Sequence, residues 1–223
     1  MDIIFFAAIA FFIFYKLSKE FGKVDENERA EIQKKVAQRR EMSAEIKRYN
    51  EEKKALQVVG ESSTIIEEKY FIKLNQADRK NFLNILDRSK ITAEFFVNGA
   101  KSAFEMILKA FASEDVATLK FLLSEKIYQG FETAINQRKQ CGETLVTNLI
   151  SIEKAEVISA MLFENLASVV VRIVSKQINY IADGDNKILE GKKDEISEVT
   201  DVWTLKRDLT SESPNWVVSA TNS

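Results

Sequence analysis

Hydrophobic and polar positions divide the chain into three parts with different periodicities. An apolar run at Ile3–Leu17 is followed by a charged segment in which apolar residues are sparse. Between Thr64 and Gly142 the apolar residues recur at the spacing of one helix face, and from Glu143 onward they alternate as in half-buried strands. The pattern predicts an apolar membrane helix, a charged helical linker and an α+β domain, at residues 1–17, 18–61 and 62–223.

The helical part contains a first amphipathic segment at 70–86 and a more regular one that Thr92 can cap. The apolar face of the second segment is rich in aromatic residues: Phe96, Ala100, Phe104, Ile107, Leu108 and Phe111. Two further helices are predicted at 114–122 and 125–138, with Ser113 and Ser124 as their N-caps and Gly142 as the stop. Phenylalanine at these spacings is typical of a hydrophobic core, and a ligand pocket is the alternative.

Four strands are predicted in the C-terminal part, at 143–163, 167–180, 196–209 and 216–220. The second alternates most clearly, with Val169, Val171 and Ile173 on one side. Asp183–Asn186 shares residues with a calcium loop but lacks its later carboxylate, so a plain turn and no metal site are expected. Helices followed by a four-stranded antiparallel sheet predict an α+β layer in which the helices cover one sheet face.

Three interpretations compete for the apolar run at Ile3–Leu17. A cleaved signal would carry positive charge before the run, whereas here Asp2 precedes it and lysines follow it. A buried core helix would need apolar partners on every side. A membrane anchor agrees best with the composition, although about 22 Å of helix is short of a roughly 30 Å hydrocarbon layer. The residues that favour insertion are Ile3, Phe5, Phe6, Ile9, Phe11, Phe12, Ile13 and Phe14.

Lysines after the anchor predict its orientation. Positive charge stays on the cytoplasmic side, so the N-terminus should face out and the domain should be cytoplasmic. A transit-peptide pattern is missing from the N-terminal residues, which favours a bacterial inner membrane over a matrix-facing position in mitochondria. The linker's basic clusters, Lys34-Lys35 and Arg39-Arg40, could contact anionic lipid or a partner protein, with a simple solvated helix or tether as the alternative.

Composition excludes several classes of activity. The chain has 32 basic and 34 acidic residues, so extensive nucleic-acid binding is not expected. It contains no histidine and one cysteine, Cys141, which argues against zinc hydrolases, His-dependent nucleophiles and an intramolecular disulfide. No acid–base pair can be assigned, so neither enzymatic activity nor a cofactor is predicted.

Three segments resemble the Tim44-like family, which is named for a subunit of the mitochondrial inner-membrane protein translocase. They read FFVNGAKSAFEMILKAFASEDVATLKFLLSEKIYQGFETAI, GETLVTNLISIEKAEVISA and EVTDVWTLKRDLTSESPNWVVSAT, and the resemblance covers residues 91–221. Its most specific residues are Asp201, Trp203, Arg207, Asn215 and Trp216. The resemblance implies a cone-shaped, nuclear-transport-factor-two-like fold, but the short linker differs from the family's chaperone-recruiting region.

The family residues allow two interpretations. Trp203 and Trp216 could close the hydrophobic layer, with Asp201 and Arg207 exposed or paired at its rim. Alternatively, the concave sheet face forms a pocket for a lipid chain or partner helix, with Phe96, Phe104 and Trp203 lining it.

The combined prediction is a membrane-tethered scaffold that contacts proteins or lipid. The resemblance implies that it assists protein translocation or membrane-protein biogenesis at an inner membrane. A ribosome-associated adaptor and a small-molecule-binding or isomerase-like pocket protein are the alternatives. Neither the protein partner nor the oligomeric state follows from the sequence.

Overall fold

The computed structural model describes residues 68–222, which form helices packed on an antiparallel sheet. The predicted anchor at Ile3–Leu17 and the charged linker at 18–61 lie outside these residues. Among residues 68–222, no helix has both the length and the apolarity needed to cross a bilayer. The architecture is α+β, as the sequence predicts.

Four α-helices follow a short 3₁₀ turn at Glu68–Tyr70. They are α1 (Gln76–Ser89), α2 (Ala93–Ala112), α3 (Val116–Leu122) and α4 (Glu125–Cys141). The first predicted segment therefore divides at Asn75, whose side chain caps α1 by accepting a hydrogen bond from the Asp78 N–H. Asparagine competes with helical backbone bonding and suits this cap position.

The predicted helix ends are correct in part. Thr92 caps α2, accepting from the Phe95 N–H at 3.1 Å, and Gly142 ends α4 with a left-handed φ of 67°. Ser124 occupies the N-cap position of α4 without a side-chain cap bond. The prediction for Ser113 is wrong: it ends α2, and Asp115 caps α3 by accepting from the Thr118 N–H. Glu114 lies between them with a φ of 60°, which separates the two helices.

The sheet contains five strands: β1 (Thr144–Phe163), β2 (Leu166–Ala182), β3 (Ile188–Gly191), β4 (Ser197–Asp208) and β5 (Val217–Asn222). All pairings are antiparallel, in the order β1-β2-β4-β5, and β3 pairs with the end of β2 beyond β4. The sequence predicted four strands, and the structure adds a fifth, β3. Every residue of β3 is exposed, so this strand carries no hydrophobic alternation by which the sequence could reveal it.

One sheet face, which we call the inner face, packs against the helices. On β2 it bears Val169, Val171 and Ile173, which are almost completely buried. Their neighbours on β4 include Leu205, paired with Val169, and Trp203, paired with Val171. The opposite, outer face carries the intervening residues, such as Val170, Arg172 and Val174, which are only partly buried.

The core joins this inner face to α1 and α2. Its fully buried residues include Phe82 and Ile85 from α1 and Phe104 and Ile107 from α2. The helical spacing of these residues places them on the faces that meet the sheet. The core thus fixes the positions of the residues of β4 that carry the family resemblance.

Candidate functional site

Three of the five predicted family residues lie along the inner face, and the five do not converge on one point. Asp201, Trp203 and Arg207 share this face of β4, and Asp201 and Arg207, which are six positions apart on the strand, are separated by roughly 20 Å. Asn215 and Trp216 lie just before β5, where both are partly buried. The structure therefore divides the family residues into two local groups.

Trp203 forms the centre of the first group. Its ring centroid lies 4.8 Å from that of Phe104, and both side chains are almost fully buried. Aromatic pairs at such distances contribute to stability beyond the area that they bury. Trp203 thus closes the layer between sheet and α2.

Trp216 belongs to the second group, at the other half of α2. Its ring lies 5.0 Å from Phe96 in an edge-to-face arrangement. Phe96 in turn contacts Phe82 at 5.6 Å, and Phe82 contacts Phe71 at 5.3 Å. These rings pack on one another, and the lining of a pocket by Phe96 and Phe104 stays a prediction.

Asp201 is buried, with 9% of its surface exposed, so of the two expected positions, exposed or paired at the rim, the exposed one is wrong. Burial raises the pKa of its carboxyl to about 7, and a hydrogen bond from the Trp203 side chain partly opposes that rise. The alternation of β4 explains the burial, because Asp201 shares the parity of Trp203. A buried carboxyl with a raised pKa is a candidate functional group.

Arg207 is partly buried on the inner face, opposite Ala167 of β2. Burial lowers the pKa of its guanidinium, and its Nε atom is buried without a hydrogen-bond partner. Asn215 donates its backbone N–H to the Ser213 hydroxyl at 3.4 Å, which helps to shape the turn before β5.

A row of polar residues on the inner face was not predicted. It continues the alternation of β2 beyond Ile173 with Ser175, Gln177 and Asn179. Gln177 donates to the Ser175 hydroxyl at 2.7 Å, and Asn179 donates to the Gln177 side-chain carbonyl at 3.1 Å. Continuing the alternation of Val169, Val171 and Ile173 along β2 would have predicted that these three residues face the core.

A second unpredicted cluster surrounds Glu156 of β1. Strand pairing places Glu156 opposite Arg172 of β2, on the outer face. Glu156 is 4% exposed, and its carboxylate lies 2.6 Å from Arg172, 2.8 Å from Lys154 and 3.6 Å from Lys73. Burial alone would raise its pKa, but the Lys154 hydrogen bond and the three positive charges hold that pKa below its usual value. These contacts join β1, β2 and the chain before α1.

The tip of the β1–β2 hairpin exposes an apolar surface, which we call the hairpin patch. It consists of Met161, Phe163 and Leu166, exposed by 63%, 69% and 47%. Phe163 and Leu166 are cross-strand partners, and Met161 shares the outer face with Phe163. Large exposed apolar groups in one place are typical of contact surfaces.

Comparison with known proteins gives three findings. The model of the Tim44-like domain matches residues 87–223. The probable mitochondrial import inner membrane translocase subunit tin-44 of Caenorhabditis elegans is 26% identical over 109 residues, which is 48% of this chain and 26% of the worm protein. The chain therefore matches about a quarter of that relative's length.

The intermembrane space region of the chloroplast protein ARC6, known from a crystal structure, aligns with a TM-score of 0.40 and 12% identity. That alignment covers 56% of this chain and 94% of the chloroplast structure. The match to the family model covers more than half of the chain and includes all five residues that carry the resemblance: Asp201, Trp203, Arg207, Asn215 and Trp216. The chain belongs to the Tim44-like domain family.

Proposed function

We propose that the protein is a membrane-tethered scaffold that assists protein translocation or membrane-protein biogenesis at an inner membrane. The observation that carries this proposal is the family match at residues 87–223, together with a relative named as an import translocase subunit. A domain of this kind would act by binding other proteins rather than by catalysis. The apolar run Ile3–Leu17 would hold it at the bilayer.

The hairpin patch is the best candidate for the protein contact. Phe163 is the most exposed of its three apolar residues, at 69%. Hydrogen bonds anchor the nearby turn, since Arg88 donates to the Glu164 carbonyl at 2.7 Å and to the Asn165 side chain at 2.5 Å. A preorganised apolar projection loses little conformational entropy when it binds a partner.

The fold within the family would be the cone-shaped, nuclear-transport-factor-two-like one. Helices covering one sheet face support this fold, and the inner face would be its concave side. Lipid contact would then come from the anchor and from the basic clusters of the linker, Lys34-Lys35 and Arg39-Arg40. Oriented by the lysines that follow the anchor, the domain would lie on the cytoplasmic or matrix side.

Membrane fractionation tests the tether. We expect the full chain to remain with membranes after a high-salt wash, and a chain lacking residues 3–17 to be released in large part while keeping residual affinity for lipid. A full chain found in the soluble fraction would refute the tether. Complete release of the shortened chain would refute the additional lipid contact.

Site-specific crosslinking in cells tests the scaffold role. A photoreactive residue at Phe163 should crosslink to a component of the translocation or membrane-insertion machinery, identified by mass spectrometry. The same residue at Leu189, which is 50% exposed on β3 at the opposite end of β2, is the matched control. Equal products from both positions, or ribosomal proteins alone from Phe163, would contradict a translocation role, and the latter would favour the ribosome-associated alternative.

A small-molecule-binding role is the second candidate, and one observation favours it. Asp201 is a buried carboxyl with a pKa raised to about 7, the kind of group that pocket enzymes use as acid or base. The polar row beside it is equally unusual for an otherwise apolar core.

A further inference from the structure

The cluster around Glu156 on the outer face carries more positive than negative charge. The Glu156 carboxylate lies 2.6 Å from Arg172 of β2, 2.8 Å from Lys154 of β1 and 3.6 Å from Lys73 of the chain before α1. Within residues 68–222, none of these three cations forms an ion pair with a second carboxylate. One negative charge therefore serves three positive charges, and the cluster has an excess of two.

The strand residues beside the cluster do not compensate this excess. On the outer face, Arg172 lies opposite Val202 of β4, and its neighbours along β2 are Val170 and Val174. Lys154 of β1 lies opposite Val174. Like charges held this close repel each other, and water screens them only in part where the side chains are half-buried. A second anion at the cluster would relieve that repulsion.

The cations are more accessible than the carboxylate that they share. The side chain of Glu156 is 5% exposed, whereas those of Arg172, Lys154 and Lys73 are 35%, 51% and 57% exposed. Lysine has three N–H donors and arginine five, against about four acceptor positions on a carboxylate. The cluster therefore has more donors than Glu156 can bind, on side chains that a ligand can reach.

The spacing of the cations fits one tetrahedral oxyanion. Arg172 Nη2 and Lys73 Nζ contact the same oxygen of Glu156, so these two nitrogens lie within about 6 Å of each other. Lys154 Nζ contacts the other oxygen of that carboxylate. Charge-assisted N–H···O bonds are about 2.7–2.9 Å long. Two oxygens of one phosphoryl group can therefore bond to Arg172 and Lys73 at the same time.

The size of the charge excess selects a phosphate monoester. A monoester carries a charge of about −1.5 to −2 at neutral pH. A carboxylate or a phosphodiester carries a single negative charge and would leave part of the excess uncompensated. The guanidinium group also matches phosphate oxygens with two parallel N–H donors. We propose that Arg172, Lys154 and Lys73 form a binding site for a phosphate monoester group. This site goes beyond the scaffold role, and neither proposal depends on the other.

Titration of the full chain, held in uncharged detergent micelles at low salt, tests the site. The probe is methyl phosphate, and dimethyl phosphate is the singly charged control. The readout is the NMR signal of the Arg172 Nε–H, which is buried and has no hydrogen-bond partner within residues 68–222. The R172K variant, which lacks this N–H, assigns the signal. We expect a saturable shift with methyl phosphate and at least about tenfold weaker binding of dimethyl phosphate.

Two variants and a matched control separate the site from general surface charge. K73Q removes an exposed cation outside the helices and strands, so the fold should remain intact. K73Q and K154Q should each weaken binding about threefold to tenfold, because each removes a charge-assisted hydrogen bond to the ligand. Lys176 is 45% exposed on the same face of β2 and pairs with Glu153, so K176Q should leave the affinity unchanged.

A peptide arm distinguishes a phosphorylated protein segment from a small phosphorylated compound. A short peptide with one phosphoserine is compared with the same peptide carrying serine and with methyl phosphate. Tighter binding of the phosphopeptide than of methyl phosphate indicates a protein segment, and equal or weaker binding indicates a small compound. No saturable shift with methyl phosphate, equal binding of dimethyl phosphate, or equal losses in K73Q and K176Q would each overturn the site. The three cations would then be a purely structural set of ion pairs.

Discussion

The side chain of Trp203 donates a hydrogen bond to Asp201, two positions before it on the same face of β4. The Trp203 ring also packs 4.8 Å from Phe104 of α2. One side chain therefore joins the apolar core to the only described carboxyl whose pKa is raised to about 7. Any change in the charge of Asp201 is transmitted to the residue that closes the layer.

The burial of Asp201 predicts a pH-dependent cost of folding. Its pKa is 3.8 when unperturbed and about 7 in the fold, so folding favours the protonated form. This contribution to stability is complete below pH 3.8 and is lost as the pH rises through 7, at most about 4 kcal/mol. The free energy of unfolding of D201N, relative to that of the wild type, should therefore rise by about 2–3 kcal/mol between pH 5 and pH 8.

Urea denaturation of the wild type and D201N at pH 5 and pH 8 measures this change. D208N is the control, because hydrogen bonds from Thr210 lower the pKa of Asp208. Asp208 is then ionised in both states above pH 5, and the difference between D208N and the wild type should not vary. A D201N difference that is equally constant would show that Asp201 is ionised throughout this range.

The contact between Phe104 and Trp203 predicts a large cavity effect. Phe104 is 0% exposed, so F104A should lower the free energy of unfolding by about 3–5 kcal/mol. Phe163 is 69% exposed, and F163A should change it by less than about 0.5 kcal/mol. Equilibrium unfolding in urea, followed by tryptophan fluorescence, compares the two variants. Similar losses would mean that Phe163 is covered in the intact protein.

The layers could be predicted from the sequence because hydrophobic periodicity reports them directly. The apolar face of α2, the Thr92 cap and the alternation of β2 are each encoded within a few neighbouring residues. The order of helices before an antiparallel sheet then follows from the need to bury both apolar faces. These features depend on local pattern, and the structure confirms them.

For the remaining features residue type alone is misleading, even where the alternation of the strand indicates the inner face. Asp201 reads as a surface residue by composition, but its parity with Trp203 places it under the helices. The same holds for Gln177, which is buried because it continues the inward positions of β2. Ser113 and Asp115 are both good capping residues, and the left-handed turn at Glu114 selects Asp115. A local pattern cannot rank such alternatives.

The Thr92 hydroxyl predicts a capping effect at the start of α2. It accepts a hydrogen bond from the Phe95 N–H at 3.1 Å, and T92A should lower the free energy of unfolding by about 1 kcal/mol. Ser124 has the same position at α4 but makes no side-chain cap bond, so S124A should cost only a few tenths. Thermal unfolding of both variants measures the difference. An equal loss would show that Ser124 caps α4 in solution.

The ion pairs of Glu156 on the outer sheet face predict that loss of its charge destabilises the fold. Its buried carboxylate contacts Arg172, Lys154 and Lys73, so E156Q leaves three positive charges without their common partner. The free energy of unfolding should fall by about 2 kcal/mol at neutral pH. The pKa of Glu156 is lower in the folded protein than its unperturbed value of 4.5. Its contribution to the free energy of unfolding is therefore present above pH 4.5 and should disappear as the pH falls through the pKa of the folded state.

The matched control for Glu156 is Glu153 on the same strand. Its carboxylate is 42% exposed and lies 3.6 Å from Lys176, an arrangement that water and salt screen efficiently. E153Q should therefore have no measurable effect, whereas the E156Q loss should persist in 0.5 M salt because its carboxylate is 5% exposed. Urea denaturation with and without salt measures both. A loss in E156Q that salt abolishes would mean that its carboxylate is solvated, and that the three cations do not tie β1 to β2 and to the chain before α1.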